Sequence, residues 1–166
     1  MDIYEFFAKH GIDFQRYDHP AVYTVQEAKR LVPPMPGAKT KNLFLRDRPG
    51  KRHFLVVLGY EKSADLKALT KLLNVSKLGF ASPERLQRHL GVEPGAVSVL
   101  GLVNDREHVV EAIIDRAIWE AKAISAHPLV NTSTLVIQHE GLARFMAATG
   151  HEPRVMNVPG RKVKQK

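Results

Sequence analysis

Thr40-Lys41-Asn42-Leu43-Phe44-Leu45 joins a polar cluster to an apolar run, and the same construction returns at His127-Pro128-Leu129-Val130-Asn131. Each apolar run reads as strand, so the polar side chains sit at the end of a rigid element, where a site can be held to a productive geometry. Working outward from the first stretch, Leu43 to Arg46 and His53 to Leu58 flank Arg48-Pro49-Gly50-Lys51. That pattern predicts a β-hairpin with a short loop. Upstream, Val32 to Gly37 carries three prolines and a glycine and must be a loop. Before it, Thr24-Val25-Gln26-Glu27 has the spacing of a capping box that opens a helix running to about Leu31.

The rest of the chain alternates short helices and strands. Ile3, Phe6 and Phe7 followed by Gly11 predict a first helix, and Phe14 to Tyr17 a strand. Ser63 is expected to cap a helix whose Leu66, Leu69, Leu72 and Leu73 form one apolar face. A short strand near Leu78 to Ala81 precedes Ser82-Pro83-Glu84, a cap with proline at the first helical position, and this helix stops at Gly91. His108 to Ile118 fits helical spacing but is dense in β-branched residues. Further strands fall at Lys122 to Ala126, Leu135 to Gln138 and Arg154 to Val158, with a helix from Gly141 to Thr149 ended by Gly150. With no repeats, linkers or second core, the reading is one α+β domain: a curved mixed sheet partly wrapped by short helices.

At 166 residues the chain has the length of one domain with a real core. It contains no cysteine, which excludes disulfides, thiolate catalysis and sulfur-based zinc sites and fits a reducing compartment. The first residues lack a basic region followed by an apolar one, and no apolar run reaches the ~18 residues of a membrane span. A cytoplasmic location is the expectation. The net charge is +8, and Arg161, Lys162, Lys164 and Lys166 supply half of it. A basic body with a basic tail over residues 160–166 predicts a polyanionic partner, nucleic acid first, although a tail of this kind also reads as a solvated end.

Several chemistries are absent. There is no G-x-S-x-G elbow, no H-E-x-x-H, no phosphate-binding glycine loop and no dinucleotide fingerprint. The eight histidines are scattered singly, without the spacing of metal ligands, and no cofactor is expected.

The two opening stretches resemble the motifs of the YbaK-like aminoacyl-tRNA deacylases, relatives of the editing domain of bacterial prolyl-tRNA synthetases. The similarity spans residues 1–158 and is greatest to the branch that removes alanine from the proline tRNA. It implies an editing domain over residues 1–159 with a barrel-like sheet, acting on the acceptor end of a mischarged tRNA, with prolyl-tRNA synthetase as a candidate partner. It implies that Lys41 points into the editing pocket, holding the terminal adenosine or its phosphate and biasing the field at the ester. The resemblance also favours strand up to about Ile114 in the ambiguous stretch.

Lys39, two residues back on the same face, is expected as a second phosphate contact, and Asn42 as a donor to ribose or carbonyl, with a plain strand end as the alternative for Asn42. Gly95-Ala96-Val97-Ser98-Val99-Leu100-Gly101 matches the family's glycine loop, which offers backbone N–H groups to the substrate carbonyl; Val99 stands where the family pattern has proline. Gly95, Ser98 and Gly101 are its expected contacts. The resemblance makes His127 and Asn131 pocket residues, while a partly buried structural histidine is the plain alternative. Val22, Leu31 and Leu43 are the expected apolar wall that sets amino-acid size. Deacylation of alanyl-tRNA is the first reading; other readings are a deacylase for cysteine or serine and a non-catalytic tRNA-binding regulator. If the chemistry needs only these side chains, excess EDTA will leave turnover unchanged, and loss restored by zinc or magnesium would contradict it.

Overall fold

The computed structural model describes residues 2–21 and 23–161. The described elements run α1 (Ile3–His10), β1 (Gln15–Asp18), α2 (Val25–Leu31), β2 (Thr40–Arg46), β3 (His53–Gly59), α3 (Leu66–Leu73), β4 (Gly79–Phe80) and α4 (Pro83–Leu90). Two 3-10 turns, Pro94–Ala96 and Val99–Asn104, lead to β5 (Val110–Asp115), α5 (Arg116–Trp119), β6 (Ala123–Ala126), β7 (Ser133–Gln138), α6 (His139–Thr149) and β8 (Arg154–Met156). The α+β class is as expected. The ambiguous stretch divides at Asp115, strand before it and one helical turn after it.

The strands form two sheets. One is antiparallel, in the order β1-β7-β6; the other is mixed, in the order β4-β2-β3-β5-β8, with β5 parallel to both β3 and β8. The β2–β3 hairpin pairs Thr40 with Gly59 through Arg46 with His53. Gly37 and Ala38 join the sheets. Ala38 pairs with Ile124 of β6: its amide donates to the Ala123 carbonyl at 2.8 Å and its carbonyl accepts from Ser125 at 3.0 Å. Thr40 continues the seam, its hydroxyl donating to the Ser125 carbonyl at 2.6 Å and its amide to Ser125 Oγ at 3.2 Å.

Alternation along β2 and β3 sends side chains into two cores. Phe44, Leu55 and Val57 join α1, α6 and β7 in the larger one; Leu45, Phe54, Val56 and Leu58 pack with Leu69 and Leu73 of α3 in the smaller. Asp65, not Ser63, caps α3, because its carboxylate reaches the Ala68 amide at 3.0 Å. Leu72 is more than half exposed, since the contact face of this short helix is narrower than the leucine pattern. The other caps are as read: Ser82 accepts from the Arg85 amide, and Gly11, Gly91 and Gly150 end their helices in the left-handed region.

A histidine pair lies at the far end of the hairpin, His53 buried and His89 half-buried. His53 and His89 lie 4.3 Å apart between ring centres, and Arg85 donates to His53 Nε2 at 3.0 Å. Burial first, then the nearby His89 and Arg85 charges, push His53 down to about 4. Near the end of the described chain, Gly160 pairs with Ala64 and the Arg161 amide donates to the Ser63 carbonyl at 2.8 Å. The bonded path thus passes the expected boundary at residue 160, while Lys162, Lys164 and Lys166 lie outside the described residues.

The seam depends on Gly37. Its φ is +91°, and a Cβ there would lie 3.0 Å from the Ala123 backbone. Backbone cannot give way as a flexible side chain can. Gly37→Ala is therefore expected to cost about 2 kcal/mol or more from the left-handed strain and the clash, read as a lower urea midpoint at unchanged m-value.

Candidate active site

The seam floors an open cleft of about 350 Å³, which draws residues from six separate stretches of the chain. Lys39, Lys41 and Asn42 come from the start of β2; His127 and Thr134 from either side of the 128–133 turn; Gly95 and Val97 from the 3-10 region; Tyr60 from just beyond β3. Of the residues singled out in the sequence, Lys39, Lys41, Asn42, Gly95 and His127 line this cleft together.

Lys41 and Asn42 reach the cleft from opposite sides of their strand. Lys41 is paired with Leu58 and alternates with Leu43 and Leu45, on the face of the smaller core; Asn42 is paired with Val57 and shares the face of Phe44. Among the described residues, no hydrogen bond or ion pair engages the Lys41 ammonium. Its partial burial lowers its pKa, so it is a cation poorly supplied with water and open to an anionic or carbonyl partner. Asn42 Oδ1 is buried without a hydrogen-bond partner, and so is the Tyr60 hydroxyl. Tyr60 bonds through its amide to the Lys39 carbonyl at 3.0 Å, and burial raises its pKa, keeping it a neutral donor. Two unpaired polar atoms lining one cleft are groups that a ligand or water must satisfy.

His127 is half-buried at the end of β6. Its Nδ1 lies 3.1 Å from the Ser133 carbonyl, which can only accept, so Nδ1 carries the proton and Nε2 keeps its lone pair. Burial lowers the His127 pKa, against the opposing pull of the Ser133 carbonyl, and favours the neutral ring. The neighbouring His19 is fixed by the same logic. Its Nδ1 donates to the Pro20 carbonyl and its Nε2 accepts from the Thr134 hydroxyl, both at 2.8 Å. Asp18 accepts from the Ser133 hydroxyl at 2.7 Å, so β1 holds the strand that orients His127. Between them Leu129 has a φ of +69°, an uncommon conformation for a branched side chain and a mark of local strain beside the site.

The glycine loop contributes less than its pattern suggests. Gly95 and Val97 line the cleft, but Ser98 and Gly101 do not. Ser98 is fully buried and accepts from the Leu100 amide, capping the second 3-10 helix; Gly101 lies beneath Leu90, where a Cβ would sit 3.1 Å away. The Ala96 and Gly101 amides are already bonded to the Glu93 and Ser98 carbonyls. Val99, at the family's proline position, is 1% exposed and starts that helix, so burial and capping hold the loop in place of a proline ring.

Asn131 stands against Gly95, its Nδ2 3.2 Å from where a Cβ would be. Of the expected apolar wall, Leu43 packs into the smaller core and Leu31 is half-buried outside the cleft lining, while Val22 lies outside the described residues. Val32 and Met35, in the connection that follows α2, line the cleft in their place. Tyr60 and Thr134 were likewise unmarked by any motif. The signal for Tyr60 is strand register: it stands two residues past Leu58, the partner of Lys41, on the same face.

Residues 19–145 match the model of the aminoacyl-tRNA editing domain family. A prolyl-tRNA editing protein, ProX, from Acetoanaerobium sticklandii is 36% identical over 140 residues, which cover 84% of this chain and 85% of that one. The prolyl-tRNA synthetase associated domain-containing protein 1 of Danio rerio is 33% identical over 158 residues, 94% of this chain and 85% of its own length. A solved structure described as a candidate trans-editing enzyme for prolyl tRNA synthetase superposes with a TM-score of 0.69 over 96% of both chains at 16% identity, a likeness of fold. The chain belongs to the aminoacyl-tRNA editing domain family. It is an aminoacyl-tRNA deacylase.

Neutral His127 sets a pH expectation. Its pKa lies below the ordinary 6.5, so the unprotonated ring persists on the acid side of that value. The acid limb of kcat/KM should therefore fall below pH 6.5. It should disappear in His127→Asn, whose residual rate is expected to be flat across that window; an unchanged acid limb in this variant would assign the titration elsewhere.

Proposed function

We propose that the chain hydrolyses alanine from tRNA(Pro), with Lys41, Gly95 and His127 acting on the ester and Lys39, Asn42 and Asn131 binding around it. The observation that carries this reading is the convergence of an unpaired ammonium, an unpaired amide oxygen and a neutral imidazole on one small cleft. The proline tRNA enters through the relatives, whose names record prolyl-tRNA editing and association with prolyl-tRNA synthetase. That synthetase is the proposed source of the mischarged tRNA and a proposed partner, and the work is proposed to take place in the cytoplasm. Among the described residues, no helix is long and apolar enough to cross a membrane. The editing unit follows the bonded path through Arg161, with the cations beyond it adding affinity for phosphate.

An aminoacyl ester is already activated by the neighbouring ribose hydroxyl, so hydrolysis needs a placed water and charge stabilisation instead of a strong protein nucleophile. Water, held by His127 Nε2, gives up its proton to that nitrogen as its oxygen attacks the carbonyl carbon. Negative charge gathers on the carbonyl oxygen, where the Lys41 ammonium and a backbone amide near Gly95 stabilise it. The carbon–oxygen bond to ribose then breaks, the proton passes to the leaving ribose oxygen, and free alanine departs. A cleft of about 350 Å³ is near the small end of ligand sites (~300–1,000 Å³) and suits a small amino acid. One methylene is worth only about 1–3 kcal/mol in an apolar pocket, so Val32 and Met35 grade substrates by size without excluding neighbours absolutely.

Lys41→Ala is expected to lower kcat/KM by about a hundred-fold, the size of a lost electrostatic contact in the transition state, with an unchanged urea midpoint. The measurement is ester loss from alanyl-, cysteinyl- and seryl-tRNA. Fastest loss from cysteinyl- or seryl-tRNA would move the substrate within the class. Near-wild-type turnover by folded Lys41→Ala would remove the lysine from the mechanism, and binding of all three without turnover would make the chain a regulator.

A further inference from the structure

Tyr23 is 73% exposed, the most exposed large apolar side chain among the described residues, yet it lines the cleft. Its backbone is held: the amide donates to Glu27 Oε1 at 3.3 Å, and the same oxygen accepts from the Thr24 hydroxyl at 3.2 Å. The capping box thus reaches one residue further back than its pattern implies. The ring itself is seated on Gly95. A Cβ there would lie 2.9 Å and 3.1 Å from two ring carbons, so only glycine lets the ring lie so close to that backbone.

One side of the ring is therefore supported while most of it remains open. Among the described residues its hydroxyl has no hydrogen-bond partner, so the fold gains little from this exposure. Lys29 and Lys39 line the same cleft, and neither belongs to an ion pair among the described residues. A supported aromatic face beside unpaired cations has the composition of a single-strand nucleic-acid site: any base can stack on the ring, and the cations meet phosphate.

We propose that the Tyr23 ring is the platform on which the terminal base of the tRNA stacks, with Lys29 and Lys39 contacting the adjoining phosphates. This deepens the deacylase reading and rests on it for the identity of the RNA. Stacking at the mouth would fix the direction in which the aminoacyl ribose enters toward Lys41 and His127. Gly95 then has a second use, as the seat of the platform.

The test is an uncharged acceptor minihelix carrying 2-aminopurine as its 3′-terminal base, whose fluorescence is quenched by stacking. Wild type and Tyr23→Phe are expected to quench it; Tyr23→Leu, apolar but without a π face, should lose the quenching and bind about ten-fold more weakly, the size of one lost base–aromatic stack. A second minihelix ending in an abasic ribose separates this role from a structural one. It should bind wild type about ten-fold more weakly, and Tyr23→Leu should weaken it no further, because both changes remove the same contact. Additive losses, or undiminished quenching by Tyr23→Leu, would overturn the proposal. Neither titration needs turnover, so a protein that stacks the base but hydrolyses no ester would sink the deacylase reading and leave the platform standing.

Discussion

The site depends on one hydrogen-bonded seam. Residues 37–40 run beside β6, and four hydrogen bonds, two through Ala38 and two between Thr40 and Ser125, fasten the hairpin sheet to the antiparallel sheet. Lys39 and Lys41 sit on one side of that seam, and His127 follows β6 on the other. Neither sheet contains the site alone. The separation between cation and imidazole is set by these short, directional bonds, two between backbone groups and two through the Thr40 and Ser125 hydroxyls, and not by the packing of long side chains. Left-handed Gly37 makes the approach possible, and this is why a proline-rich connection ends in glycine where strand begins.

A second arrangement follows from the pleat. Because Lys41 and Asn42 are consecutive, they cannot share a face of β2, and the cleft wraps the start of the strand to use both. The surrounding groups fall into an outer set of cations and an inner set of neutral hydrogen-bonding atoms. Lys39 is exposed, Lys41 is half-buried, and Asn42 Oδ1 and the Tyr60 hydroxyl are out of contact with water. A polyanion approaching from outside meets charge first and specific hydrogen bonds last, an order that separates capture from selection.

Local rules reached most of the fold. Caps, proline at the first helical position, terminal glycines and the hairpin loop depend on neighbours within a few residues, and Ser82-Pro83, Gly91 and Gly150 were legible for that reason. Asp65 displaced Ser63 because both can cap and only the tertiary path of the chain chooses between them. The site divided along the same line. Lys41, Asn42, Gly95 and His127 belong to motifs and line the cleft; Ser98, Gly101 and Leu43 belong to the same motifs and Leu31 stands near them, but these four face a core or lie outside the cleft. Tyr60, Val32, Met35 and Thr134 carry no motif, and finding them requires the register between β2 and β3 and the path of the chain after α2. The resemblance supplied positions along the chain, and geometry supplied the facing.

The histidine pair at the far end of the hairpin couples this architecture to protons. His53 titrates at about 4 when folded against an ordinary 6.5, held down by burial, His89, Arg85 and Arg88, with Asp47 pulling the other way. A depressed histidine pKa means that the unfolded chain binds the proton first. The stabilisation is therefore whole above pH 6.5 and drains away as the medium is acidified toward 4. Arg85 also clasps the hairpin loop through the Gly50 carbonyl at 3.0 Å, so protonation would place a second cation against the group that closes β2 onto β3. The loosening would begin at the end of the hairpin opposite the cleft, and the strand that carries Lys41 would feel acid through its own far terminus.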